Sequence, residues 1–302
     1  MQEGIYHMPV MLHEVLNGLQ IKPGGTYVDC TFGGGGHSKA ILAQLNKDGK
    51  LFVFDQDEEA KKNVPDDERL TFIPHNFRHL QRFLRLYKIE KVDGILADLG
   101  VSSHQFDKAE RGFSTRFDAP MDMRMDRRQI NLAGDILNKY SEEKLHKIFE
   151  RYGEVSNART LARTIAEARK TALLLTINQF KNAIYPAVKG NPNKYLAKVF
   201  QALRIELNDE LGALKEMLQQ TPALLKRGGR IAVITFHSLE DGIVKTFFKR
   251  GNFEEEKIDE IYGTKMSSEL KAITKKPINP GADEIKNNPR ARSARLRIAE
   301  RI

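Results

Sequence analysis

Apolar residues in the first third of the chain switch between two spacings. Tyr27-Val28 with Cys30, Leu51 to Phe54, Leu70 to Ile73 and Val92 to Ala97 form short unbroken blocks of strand-forming residues. Between them, Ala40, Ile41, Leu42 and Leu45, and later Leu80, Phe83, Leu84 and Tyr87, recur at helical spacing. A further helix over His13 to Leu19 precedes the first block and ends at Lys22-Pro-Gly-Gly, and Asp48-Gly49 is expected to close the helix after it. Strands alternating with helices predict a parallel sheet with right-handed crossovers, whose ligands lie beyond the carboxyl ends of the strands. Asp29, Asp55 and Asp98 stand at or just past those ends, so the pattern predicts that they share one crevice.

The pattern then changes. From about Gln105 to Arg204 it supports helices and loops but no strand. Asn131 is expected to cap a helix reaching Tyr140, Ser141 the next one, and Thr176-Ile-Asn-Gln179 fits a capping box. A helical stretch from Tyr195 to Leu225 is expected to break near Asn208 and Pro222. Strand character returns at Arg230 to Phe236, with a helix over Leu239 to Phe248. Ala272 to Thr274 and Ala294 to Ile298 are expected to close the sheet as an antiparallel edge. The reading is therefore an α/β domain over residues 1–105 and 205–302, with an all-helical domain inserted over residues 106–204.

Composition narrows this. The chain has 302 residues, 40% of them apolar, enough for a sizeable core. It has no apolar run long enough for a transmembrane helix and no secretory signal, and its one cysteine, Cys30, excludes an internal disulfide framework. These points predict a cytoplasmic protein, with no metal site and no membrane contact. The net charge of +9 matters through its placement. Arg290, Arg292, Arg295 and Arg297 alternate in a strand-like stretch that would align them on one face. Arg124, Arg127, Arg128, Arg159, Arg163 and Arg169 lie in the helical region, so two separate elements favour a polyanionic partner.

The candidate chemistry centres on Thr31-Phe-Gly-Gly-Gly-Gly-His-Ser38, a glycine turn between a strand and a helix start. Such a turn lets backbone approach a ligand and presents free N–H groups. Asp55, at the end of the second strand, suits hydrogen bonding to ribose hydroxyls, which serves NAD and S-adenosylmethionine alike. His37 is read equally as a structural cap or a ligand contact. Asp98 is read either as a ligand contact or as the group that accepts hydrogens from a poorly nucleophilic amine. His237 and Ser238 lie past the fifth strand, with Ser238 expected to cap the helix and Asp241 at its third position.

With those residues in view, the chain resembles the bacterial 16S ribosomal RNA cytosine-N4 methyltransferase family (RsmH/MraW type). The matching stretches are HMPVMLHEVL, TFGGGGHS, DLGVSSHQFDKAERGFS with PMDMRMD, FQALRIELNDEL, GGRIAVITFHSLED and NPRARSARLR, in the expected order from His7 to Arg297. The departures are the fourth glycine and a compact segment between Asp126 and Leu132. The resemblance implies a class I S-adenosylmethionine-dependent methyltransferase fold, Rossmann-like, with the helical insert. It implies methylation of N4 of a cytidine in the decoding region of 16S rRNA, within free RNA or the small ribosomal subunit. It places the cofactor on Gly35, Gly36, His37, Asp55, Phe77, Asp98 and Gln105. Asp98 is then also the catalytic candidate, and Arg124, Arg127, Arg290 and Arg292 the candidate RNA contacts. The alternatives are an NAD-dependent oxidoreductase and an assembly factor that binds RNA without chemistry.

Overall fold

The structure is a computed structural model and describes residues 9–253 and 268–302; His7 and Met8 of the first matching stretch lie outside them. In chain order the elements are α1 (Leu12–Leu19), β1 (Thr26–Asp29), α2 (Gly36–Leu42), β2 (Lys50–Phe54), β3 (Leu70–Ile73), α3 (Leu80–Leu86) and β4 (Val92–Asp98). Then follow α4 (Ser103–Asp107), α5 (Ala133–Lys139), α6 (Glu142–Arg151), α7 (Ala158–Ala168), α8 (Ile177–Ile184) and α9 (Pro192–Asn208). The chain continues through α10 (Glu210–Leu224), β5 (Leu225–Thr235), α11 (Ser238–Arg250), β6 (Leu270–Ala272), α12 (Ala282–Asn287) and β7 (Arg295–Arg301). Two compact units result: residues 1–100 with 212–302, and residues 101–211.

The first unit is built on a sheet of order β3-β2-β1-β4-β5-β7-β6. Its first five strands are parallel, and β7 runs antiparallel to both β5 and β6. Side chains alternate between two faces. Val28, Phe52, Phe54, Ile95, Ala97, Ile231 and Val233 enter one core with α3, α10 and α11. Tyr27, Leu51, Val53, Leu96, Ala232 and Ile234 enter the other, with α1 and α2. Burial on both faces is why these strands read as unbroken apolar blocks rather than alternating ones. The strand order reverses between β1 and β4, which places the switch point at the ends of those strands.

Several local expectations are corrected. α2 ends at Leu42, because Gln44 and Leu45 bond only three residues back and tighten the chain there. Pro222 does not interrupt α10: the carbonyl of Leu218, deprived of its helical partner by the proline, accepts the Thr221 hydroxyl at 2.6 Å instead. β5 starts at Leu225 rather than Arg230, with residues 226–229 bulging between the pairs Val92–Leu225 and Gly94–Arg230.

In the second unit the helices α4 to α9 surround an apolar core that includes Leu137, Phe149, Leu161, Phe180 and Leu203. Asn131 is not a cap; α5 starts at Ala133, and Asp135 accepts the Leu132 N–H at 2.7 Å. The chain leaves α9 at Asp209 with φ +47°. Asn208 holds that end, accepting the Met125 N–H and donating to the carbonyls of Met123 and Arg204.

Candidate active site

The carboxyl end of β1 is organised by a buried carboxylate. Asp29 accepts the Thr31 N–H at 3.0 Å and the Ser38 hydroxyl at 2.7 Å. Thr31 Oγ1 in turn accepts the N–H of Asp98 at 2.7 Å. One acid therefore ties the start of α2 to the end of β4, a function that its position at a strand end hinted at but its residue type did not reveal.

The glycine turn is crowded at some positions and open at others. Gly35 has φ +74°, and a Cβ there would meet the Phe32 ring at 2.9 Å. A Cβ on Gly36 would stand 2.4 Å from Pro9 Cγ. Nothing lies within 4 Å of one built on Gly34. The expected backbone demand thus applies to Gly33, at φ +50°, and to Gly35, and close packing adds a demand at Gly35 and Gly36, while Gly34 shows neither.

Asp55 caps this turn from β2. Its carboxylate accepts the N–H of Gly33 at 2.7 Å and of Asp57 at 2.8 Å, one on each oxygen. Burial pushes its carboxyl up to about 6, opposed by those two N–H groups. Each oxygen keeps a lone pair for a hydroxyl donor. Asn63 closes the turn by donating to the Gly33 carbonyl at 2.9 Å. Phe77 opens a short 3₁₀ helix after β3, half-buried at the edge of the core, and the loop before it is held to the end of β2 by Asn76 donating to Gln56 at 2.8 Å.

Asp98 and His37 face each other. His37 donates from Nε2 to the Val10 carbonyl at 3.0 Å, so in the neutral ring Nδ1 keeps its lone pair. That atom lies 3.7 Å from Asp98 Oδ2. Burial pushes the Asp98 carboxyl well above the usual carboxylate range, with Asp29 and Glu240 adding to it. Burial lowers the pKa of His37 against the pull of Asp29. Oδ1 of Asp98 is buried and without a hydrogen-bond partner.

The end of β5 differs from expectation. His237, not Ser238, is the cap of α11: its Nδ1 accepts the Glu240 N–H at 3.4 Å. Asp241 does not serve the helix start alone; it takes Arg297 through two bonds of 2.6 and 3.0 Å and Arg295 at 3.3 Å. The predicted row of four arginines on one strand face is thus corrected. Arg290 and Arg292 sit exposed on a short 3₁₀ helix, while Arg295 and Arg297 lie in β7 and pair with Asp241.

Gln105 and the other candidate arginines belong to the second unit. Gln105 completes a capping box at α4, accepting the Ser102 N–H at 3.1 Å while its own N–H reaches Ser102 Oγ at 3.2 Å. Arg124 forms a fork with Asp122 at 2.8 and 2.9 Å and donates to the carbonyls of Arg127 and Gln129. Arg128 forks with Asp126 in the same way, and Arg127 and Arg128 are both exposed.

The comparisons agree with one another. The family model described as the MraW methylase family matches residues 4–302. A protein of Phocaeicola vulgatus named ribosomal RNA small subunit methyltransferase H is 52% identical over 298 residues, covering 98% of each chain. One of the same name from Flavobacterium johnsoniae is 54% identical over 298 residues, again with 98% of each covered. Among solved structures, TrmN from Thermus thermophilus is similar at a TM-score of 0.43 and 13% identity, over 96% of this chain and 48% of that one; this distant likeness adds nothing to the strand order above.

Proposed function

The chain belongs to the MraW methylase family, and from that premise we propose that it methylates N4 of a cytidine in the decoding region of 16S rRNA. It is an S-adenosylmethionine-dependent ribosomal RNA methyltransferase, like the small-subunit enzymes it resembles across nearly its whole length. The nicotinamide alternative falls with that membership, and so does the factor without chemistry.

The observation that carries the site reading is the gathering of Asp29, Asp55 and Asp98 at the carboxyl ends of β1, β2 and β4, behind the glycine turn. A strand end lined by carboxyl groups suits a sulfonium cation, whose charge favours their ionised form. The residues fit the cofactor in two further ways: Asp55 has two lone pairs free for ribose hydroxyls, and Phe77 offers an aromatic face, while Gly35 and Gly36 hold the turn tight against Phe32 and Pro9. When bound, S-adenosylmethionine supplies an electrophilic methyl group. Gly35, Gly36, His37, Asp55, Phe77, Asp98 and Gln105 are the proposed binding residues. An exocyclic amine is a weak nucleophile because its lone pair is delocalised into the ring. Asp98 Oδ1 is the acceptor proposed to draw an amine hydrogen and localise that pair. The helical unit and the exposed Arg290 and Arg292 are proposed to hold RNA, with Arg127; Arg124, engaged with Asp122, shapes the loop that presents Arg127.

The test is incubation of the protein with S-adenosylmethionine and small ribosomal subunits from cells lacking the enzyme, followed by mass-spectrometric mapping of the modified nucleotide. A methyl group on cytidine N4 in the decoding region is expected. Methylation at carbon, or at another site, would refute the reading.

A further inference from the structure

Two buried side-chain atoms at the carboxyl ends of neighbouring parallel strands have no hydrogen-bond partner: Oδ1 of Asp98 after β4 and Nε2 of His237 after β5. The strands are locked in register there, with the Leu99 N–H on the Ile234 carbonyl at 3.0 Å. The His237 side chain is only 9% exposed. Its Nδ1 receives the Glu240 N–H, so the hydrogen of the neutral ring sits on Nε2. Nε2 lies 3.1 Å from Glu240 Oε1 but is not aligned with it for a hydrogen bond. Glu240 stands near both groups, 3.1 Å from the imidazole and close enough to Asp98 to raise its carboxyl. Buried polar atoms are nearly always paired, so an unpaired donor and an unpaired acceptor at the ends of paired strands mark a place shaped for a ligand.

That arrangement has a definite complement. A cytosine presents, side by side, an amine that donates and a ring nitrogen, N3, that accepts. Uracil presents the reverse, a carbonyl that accepts and an N3–H that donates. Building on the function proposed above, we propose that His237 is a substrate-reading residue: its Nε2–H donates to N3 of the target cytosine while Asp98 Oδ1 accepts from the amine. The pair then selects cytosine against uracil by leaving donor facing donor and acceptor facing acceptor in the wrong base. Glu240 supports the geometry: it accepts the Phe236 N–H at 2.8 Å and donates its own N–H to the ring, fixing the turn that carries the imidazole.

The test uses the whole protein and the variant His237→Asn. Asparagine is a good helix cap, so α11 keeps its start, but its amide is too short to replace Nε2. Calorimetry should give the variant the wild-type affinity for S-adenosylmethionine. Its kcat/KM on unmethylated small subunits should fall roughly tenfold to a hundredfold, the range for one lost hydrogen bond to a buried group. Subunits assembled with 3-deazacytidine at the target, which lack the ring acceptor, should slow the wild-type protein by the same factor and leave the variant no slower than on cytidine. Equal activity of variant and wild type, a parallel loss of cofactor affinity, or a wild-type protein indifferent to 3-deazacytidine would overturn the assignment of His237 alone. A wild-type protein that methylates no cytidine amine would overturn the function reading, and this inference with it.

Discussion

Asp55 is poised by two opposing effects, burial and a pair of backbone donors, that leave its carboxyl at about 6. Ribose hydroxyls prefer the ionised form as acceptor. Cofactor affinity is therefore expected to hold above pH 6 and to weaken as pH falls through it, and Asp55→Asn should bind weakly with this dependence removed; titration calorimetry between pH 5 and 8 reads both. Folding responds with the opposite sign. The protonated carboxyl is the easier one to bury, so its contribution to stability is full below the ordinary value of about 4 and is lost as pH rises through the native value. The glycine turn allows a matched comparison. Gly35→Ala forces a side chain into φ +74° against Phe32, whereas Gly34→Ala meets open space. The first should cost about 1–3 kcal/mol and disturb cofactor binding, the second under 1 kcal/mol, by thermal unfolding with and without the cofactor. The strand-end acids were legible because a polar residue closing an apolar block has few other reasons to be there. The part played by Thr31 was not legible, since a hydroxyl bridging β1 to β4 spans 67 positions of sequence.

At the scale of elements, α11 is fastened to β7 by the Asp241–Arg297 pair, whose side chains are 10% and 6% exposed. Burial alone would raise the Asp241 carboxyl, but Arg297 and then Arg295 hold it below the usual range. Removing one partner of such a pair leaves the other charge buried, at a cost of about 3–5 kcal/mol. Asp241→Ala should lower the denaturation midpoint accordingly, and the double variant Asp241→Leu with Arg297→Met should recover much of the loss. The same pair shows where sequence pattern misleads. Alternating arginines look alike whether they face solvent or a carboxylate from another element, and only the packing of α11 on β7 separates Arg297 from Arg292. The same holds for Arg124, which forks onto an aspartate two residues before it; the Asp-x-Arg spacing at Asp67-Arg69, Asp122-Arg124 and Asp126-Arg128 recurs as a self-contained loop clasp.

For the whole molecule, a net charge of +9 coexists with an acid-lined strand end. Cofactor and polyanion must then answer to different surfaces. Reversing Arg290 and Arg292 to glutamate is expected to weaken RNA binding and flatten its dependence on salt, by about one unit of slope for each phosphate no longer neutralised, with S-adenosylmethionine affinity unchanged. Filter binding across a salt series, beside calorimetry, checks this; equal losses in both would indicate damaged folding. The order of strands and the helical character of the middle stretch could be anticipated because both rest on local periodicity. Exact element limits could not, since α2 is cut short by two tighter bonds, α10 runs on through Pro222 with a hydroxyl on the freed carbonyl, and β5 is lengthened across a bulge.

β4 and β5 pair side by side although 111 residues of the second unit intervene between them. Closing so long a span costs entropy before the sheet gains anything from it. If the helical segment condenses first, drawing Val101 and Leu211 into one compact body, the effective span shrinks to residues 99–100 on one side and 212–224 on the other. The order of assembly during synthesis then follows from the topology: the insert is a kinetic staple for the sheet that interrupts it, and lesions in its core should surface as slow maturation of a strand pair that they never touch.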